Sequence, residues 1–555
     1  MKKWIILFLL PALLFGITSC SVSRTYNEGF FTYSIHDGQA TLTKYTGGFA
    51  SVTIPAEFRG FPVTKIEDGV FDKNVRLREL IIEGNNLKEI GKRAFAETSI
   101  KKLVFPDSLQ KIGDEAFSEC DILSKVDFAG ENIEIGNAAF YRCFSLEQVL
   151  SPNGLKTIGN KAFFKCEYLT EIDLSTTEKI GDFAFGGCYA LSGDIVLSAT
   201  SIGERAFIAC KNILSIKAVN THTVGAYAFS DCESLHSIEL SDKLTIIPDS
   251  CFEGCENLET VVSGDIEKVG KFAFHQCLKL QQLPTSDTIE IYKSSIKNSG
   301  LTGYDCIDDD DVLRVIDGEE YTRTFYDEFD GPELDLTKWN RCPEWKRRGA
   351  YWRDENSYVD GHGNLVLNIT SGKDPEGGNR NVFFSGAIEA RQDYNQKYGY
   401  YEIRCNLTDF PGFWSAFWLM PCNDGMNGTN VDGTGNDGAE IDIYESPFSY
   451  EQQVNYAVHW DGYGQDHKSI GNVAFMDGLY LGYHTFALKW TDQEYVFYID
   501  SEEYWRITDP ALISHVEEWM QVTVEVGDWG GEIYEEDVPL VGLLTDYVKV
   551  YAVNK

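Results

Sequence analysis

Positive charge is what the sequence lacks most. It holds 48 Lys and Arg against 86 Asp and Glu, for a net charge of −38 and a pI near 4.6. Such a surface repels nucleic acid and anionic lipid headgroups, which removes both as partners held by simple attraction. Tryptophan is missing over a long stretch: of 11, one is Trp4 and the other ten lie between Trp339 and Trp529. Large flat aromatics confined to one end mark a separate domain, and 555 residues exceed what one core serves. The N-terminal apolar run, Trp4 to Phe15, is too short to span a bilayer and is broken by Pro11.

That run follows Lys2 and Lys3 and ends in Ile17-Thr18-Ser19-Cys20, which resembles a bacterial lipobox. The resemblance implies a lipoprotein signal peptide over residues 1–19 and acylation of Cys20 as the first mature residue. The expected location is an exported lipoprotein of the cell envelope, at the outer membrane or cell surface, with a membrane partner only through that anchor. A plain secretory signal cut after a small residue is the alternative.

Internal repetition organises the first half. Ile-Gly-x-x-Ala-Phe recurs, with variations, from Ile66, Ile90, Ile112, Ile135, Ile158, Ile180, Ile202, Val224, Ile247 and Val269. Steps of 22 to 24 residues separate them, and the pattern decays at Ile291, as a terminal cap would. Val126 and Phe128 alternate like a short strand, and the Phe-x-x-Cys-x-x-Leu spacing suits a turn of helix or 3₁₀. The array resembles the BspA-like surface leucine-rich repeats. This implies a solenoid of α/β coils over residues 61–300, preceded by a tether and strand-rich leader over 20–60. Its partner, protein or glycan, is not written in the repeat. Eight cysteines, Cys120 to Cys277, each sit three residues after a repeat Phe. A disulfide ladder or metal binding is one reading; a small buried residue chosen for fit in every coil is the favoured one.

Past an acidic linker at 301–322, which carries Asp308 to Asp311, the chain shows short β-rich runs separated by turn residues. Residues 323–555 read as one β-sandwich. Within it lies Glu440-Ile-Asp-Ile-Tyr-Glu445. Residues two apart in a strand share a face, so Glu440 and Asp442 point together. A bulge near Ile443-Tyr444 brings Glu445 to the same side. Three crowded carboxyls resist ionising together, and a proton-holding acid beside a carboxylate is what glycosidic cleavage needs. The same six residues in isolation also describe an edge strand with acids facing water.

The segment resembles the signature Glu-x-Asp-x-x-Glu of glycoside hydrolase family sixteen. Further matches are Asp327–Gly331, Ser385–Arg391, Tyr398–Arg404, Gly412–Met420, Tyr483–Trp490 and Asp546–Tyr551. The resemblance implies an all-β concanavalin-like jelly roll, with Glu440 as nucleophile, Asp442 as its helper and Glu445 as general acid/base. It also implies sugar contacts from Trp414, Trp418, His459, Trp460 and Trp529, although one of Trp414 and Trp418 could be core. Glu328 and Asp546 match in outline a structural calcium site of many relatives; the reaction itself requires no cofactor. The expected activity is a retaining endo-β-glucanase acting on β-1,3 or mixed β-1,3/1,4 linkages of a polysaccharide at the cell envelope. A marine-type galactan such as agar, carrageenan or porphyran is the enzymatic alternative, with the insert Cys342 to Gly349 as one determinant. A noncatalytic surface adhesin binding glycan and protein is the alternative of a different class.

Overall fold

The structure, a computed structural model, describes residues 24–554 apart from 343, 345, 379, 409, 424–425, 427–430, 449–451, 532–537 and 539–541. The signal peptide and Cys20 therefore lie outside the described residues. Among those described, no helix is long and apolar enough to cross a membrane.

The repeats wind into a β-solenoid of about 11 turns. Equivalent isoleucines pair in parallel along one face, Ile66 with Ile90, Ile90 with Ile112 and Ile112 with Ile135. Three antiparallel strands, Arg24–Glu28, Phe31–His36 and Gln39–Tyr45, close the N-terminal end. The repeat phenylalanines stack from Phe71 to Phe274. Neighbouring ring centroids lie 4.8–5.7 Å apart and ring planes within 14° of parallel. Each such pair adds roughly 0.5–1.5 kcal/mol beyond the area it buries.

The coils are not α/β. The segment after each isoleucine is a run of turns, because residues four apart, such as Arg93 and Glu97 or Glu115 and Glu119, hold positive φ. Two left-handed residues per turn cannot propagate a right-handed helix. The eight cysteines are free and buried. Each thiol donates to the carbonyl of the Phe one coil earlier, at 3.1–3.3 Å, from Cys120 on Phe95 to Cys277 on Phe252. A small side chain with one weak donor thus adds a second hydrogen bond to a buried carbonyl that in most coils already accepts the amide of its own coil's cysteine.

The sandwich begins earlier than residue 323. Leu313–Ile316 pairs with Glu319–Asp327 and joins the sheet. The linker acids have fixed partners: Asp310 pairs with Arg323, and Asp309 accepts from the Ser294 hydroxyl and amide. The charge run read as a linker is thus part of the fold.

Solenoid and sandwich are fastened together. Leu481 is buried among Phe164, Ile208 and Ala209 of the repeats. Asp477 takes Tyr141 Oη at 2.8 Å and Lys161 Nζ at 2.7 Å. Gly478, at φ +86, passes so near Phe183 that a Cβ there would lie 2.7 Å from the ring. Deeper in the joint, Arg404 donates to both Glu253 oxygens at 2.7 Å and to Asp546 Oδ2 at 2.9 Å. His275 Nδ1 lies 3.0 Å from Glu253, and Phe272 lies under the guanidinium at 4.0 Å.

This joint does not fit the calcium expected at Glu328 and Asp546. Lys297 of the last coil donates to Asp546 Oδ1 at 2.9 Å and to the Glu328 carbonyl at 3.3 Å, and Lys549 stands 3.5 Å from the Glu328 carboxylate. Burial opposes ionisation of Asp546, but the charges of Lys297, His275 and Arg404 outweigh it and hold its carboxyl below the usual range. A divalent ion would have to displace an ammonium already seated between the same oxygens. EDTA is therefore expected to leave the melting temperature of the full chain unchanged. A drop of several degrees, reversed by calcium, would contradict this reading.

Candidate active site

Among the described residues, the sheet that carries Glu440 has seven strands. Their order is Trp339–Arg341, Ala387–Ala390, Glu518–Val526, Phe413–Pro421, Glu440–Pro447, Gln453–Trp460 and Lys468–Phe475. The expected bulge is present. Asp442 stands opposite Ala457 but Glu445 opposite Asn455, so three residues on one strand span two on the other. Ile443 and Tyr444 are both fully buried, and the extra residue returns Glu445 to the face of Glu440 and Asp442.

Register across the sheet then assigns the rest of that face. Ala416 stands opposite Glu445 and Trp418 opposite Asp442, while Gln521, Thr523 and Glu525 oppose Trp418, Ala416 and Trp414 one strand further. Both tryptophans are therefore on the acid face, since a spacing of four is two strand periods. Neither is an open platform: Trp414 is 1% exposed and Trp418 7%. Trp529, 45% exposed, meets Trp414 edge-on at 5.3 Å. Trp460 belongs elsewhere. It packs in the hydrophobic core, because its neighbour His459 takes the acid face and the strand alternates. The expected sugar contact from Trp460 is thereby corrected.

His459 Nε2 lies 3.2 Å from Asp442 Oδ2, and His459 Nδ1 lies 3.0 Å from His467 Nε2. Tyr463 donates its hydroxyl to Glu440. The hairpin formed by Lys346–Arg347 and Ala350–Trp352 closes one side, fixed by the Gly349 amide on the Val526 carbonyl at 2.9 Å. From it Arg347 donates to Glu525 at 2.8 Å and lies over Trp352 and Trp418, and Arg348 lies over Trp414 at 5.2 Å.

Burial, and then the charge of Asp442, pushes the Glu440 and Glu445 carboxyls up; His459 opposes the shift at both. Asp442 is raised by burial against the pull of Arg348 and Arg347. The three carboxyls thus hold a proton at a pH where ordinary surface acids have lost theirs, so one can donate while another attacks. Donor atoms of Glu440, Asp442 and His459 also lie within 4.8 Å of one another, close enough to hold a cation.

The raised carboxyls carry a stability cost of definite sign. A carboxyl whose folded pKa exceeds its unfolded value stabilises fully below the ordinary glutamate range and loses that contribution as pH rises through the folded value. Glu440→Gln removes one such group. Its melting temperature should match the wild type near pH 4 and exceed it by about 2 °C or more at pH 8. A lower melting temperature at pH 8 would show that the ionised cluster is stabilising.

Comparison with known proteins agrees with both halves. Residues 346–541 match the family described as glycosyl hydrolases family 16, and residues 64–192 and 178–302 match the BspA type leucine rich repeat region. The bulged carboxylate strand lies inside the stretch that matches the glycosyl hydrolase family, and the solenoid coincides with the stretch that matches the leucine-rich repeats. Among relatives, the endo-1,3-1,4-beta-glycanase ExsH of Rhizobium meliloti (strain 1021) is 27% identical over 195 residues, 34% of this chain and 39% of that protein. Glucan endo-1,3-beta-glucosidase A1 of Niallia circulans is 26% identical over 258 residues, 40% of this chain and 37% of that protein. The chain thus spans less than two fifths of the length of these two. A solved structure, the endo-beta-1,3-glucanase of Pyrococcus furiosus, is 20% identical with a TM-score of 0.37, covering 44% of this chain and 99% of that one.

Proposed function

We propose that the C-terminal domain is a retaining, endo-acting β-glucanase that cuts internal β-1,3 or mixed β-1,3/1,4 linkages. Supporting the chemistry is one observation above the rest: the bulge that turns Glu440, Asp442 and Glu445 onto one face. Glu440 attacks the anomeric carbon and forms a glycosyl-enzyme, while Glu445 gives its proton to the leaving oxygen. Glu445 then takes a proton from the water that releases the sugar. Asp442, held by His459, shares a proton with its neighbours and helps one glutamate to ionise while the other stays protonated. Gln521 Oε1 and Asn455 Nδ2 are buried on the same face without a protein partner among the described residues, acceptor and donor for sugar hydroxyls. The glucan reading rests on the named activities of the relatives, and the envelope location on Lys2 to Cys20.

The test is reducing-sugar release and product sizing on laminarin, mixed-linkage β-glucan, agarose and carrageenan. The full chain is used, because a cut at residue 301 would strip Arg404 and Asp546 of Glu253, His275 and Lys297. Short oligomers from a β-glucan, with no release by Glu440→Gln, are the expected result. A folded wild type that cuts none of the four sinks the reading.

A further inference from the structure

We propose that Arg347 and Arg348 form an anion-binding subsite beside the catalytic carboxyls, so that the site prefers a glycan carrying a sulfate ester or carboxylate on the sugar seated near Trp414. The proposal rests on the glycoside hydrolase reading of the site.

A chain with a net charge of −38 places two adjacent guanidinium groups on its acid face. They are not equivalent. Arg347 is half-buried, spends one N–H on Glu525 and lies against Trp352 and Trp418, so it is held in place. Arg348 is exposed, and among the described residues no carboxylate comes within ion-pair distance of it. Its guanidinium lies 5.2 Å from the Trp414 ring, at φ +50 in a turn that the Gly349–Val526 hydrogen bond fixes to the sheet.

The arrangement changes what the aromatic floor can recognise. Trp414 lies on the acid face but offers no bare ring, since Trp529 meets its edge and Arg348 covers it. What the cleft presents at that point is a planar fork of N–H donors. A sulfate or carboxylate takes two parallel, charge-assisted hydrogen bonds from such a fork, roughly twice as strong as those a neutral hydroxyl accepts. Glu525 fixes Arg347, and among the described residues no carboxylate pairs with Arg348, so the pair offers a charge to a ligand. The charge of Arg348 also reaches Asp442 and Glu445. Tuning those acids is the competing role, and the experiment separates the two.

Binding is read without cleavage in full-length Glu440→Gln at 0.15 M salt, where the general repulsion of the acidic surface is screened beyond about 8 Å. The probes are an unmodified β-1,3-glucan with its sulfated and carboxymethylated derivatives, and neutral agarose against sulfated carrageenan. The sulfated and carboxymethylated arms tell which oxyanion is preferred. We expect at least one charged polymer to bind about tenfold or more tighter than its neutral counterpart, the scale of one charge-assisted contact. Arg348→Gln should erase that ratio, and Arg348→Lys should restore part of it. Equal or weaker binding of every charged probe overturns the proposal, as does a preference that survives Arg348→Gln. In the Glu440-intact background, a shifted pH profile of cleavage with an unchanged charged-to-neutral ratio would leave only the tuning role and overturn it too. Failure of the hydrolase reading shows separately, as wild-type protein that binds a polymer and cuts none.

Discussion

Glu445→Ala is expected to lower kcat on a polysaccharide by roughly 10²–10⁴-fold while leaving KM within a few-fold, the loss that follows removal of a general acid/base. The prediction comes from geometry rather than from proximity alone. Were the strand to alternate regularly through Ile443-Tyr444, with no bulge, Glu445 would face the core, where its charge could not be borne. The bulge places it beside Asp442 on the acid face, and burial together with the Asp442 charge keeps its proton on. The loss should depend on the leaving group. An aryl glycoside whose phenolate departs without a proton needs Glu445 less, so its first step should slow far less than that of a sugar leaving group. Uniform loss on both substrates would mean that Glu445 supports the fold of the site rather than the proton transfer. Alkaline loss of wild-type activity should track the same group, setting in above the ordinary glutamate range because its carboxyl is raised.

Arg404→Met should destabilise the full chain by about 3–5 kcal/mol, the cost of removing one partner from a buried ion pair. Arg404 is 2% exposed, and Glu253 and Asp546 are fully buried on either side of it. Their remaining acids would face each other with only His275 and Lys297 for compensation. Glu253 belongs to the solenoid, so the same substitution should also loosen the joint. Proteolysis between the two halves should accelerate, and the unfolding transition should split or broaden. A single, undisplaced transition would show that the remaining contacts, those of Leu481, Asp477 and Lys297 among them, hold the halves together without it. Arg404 was legible in the sequence only as part of Tyr398 to Arg404, a family match with no role attached.

That residue illustrates where sequence reading reaches its limit. The solenoid could be read because one coil's apolar positions recur every 22 to 24 residues, and the carboxylate strand because period-two alternation plus one bulge is a local rule. The unit that looked like a helical turn, Phe-x-x-Cys-x-x-Leu, failed because backbone sign is not carried by hydrophobic spacing; the left-handed Arg93 and Glu97 are ordinary charged residues in the sequence. Calcium at Glu328 and Asp546 failed for a different reason. The ammonium that takes its place comes from Lys297, 249 residues before Asp546, and no local pattern joins them. Trp460 was misplaced by treating His459-Trp460 as a unit, although adjacent strand residues face opposite ways. Tyr463 and His467 were missed because a short loop after a strand carries no periodic signal. The polar alternation Gln521, Thr523, Glu525 within an apolar strand was a signal, visible in the sequence and unused.

The most direct test of the central claim, retention through Glu440, is proton NMR of the anomeric configuration in the first minutes of hydrolysis, on whichever polymer the wild type cuts. Attack by Glu440 and then by water inverts the centre twice, so the account predicts β-configured reducing ends first, turning to the equilibrium mixture only by mutarotation. Reducing ends that appear first as α would mean a single displacement by water. Glu440 would then be a base and not a nucleophile, which contradicts the account.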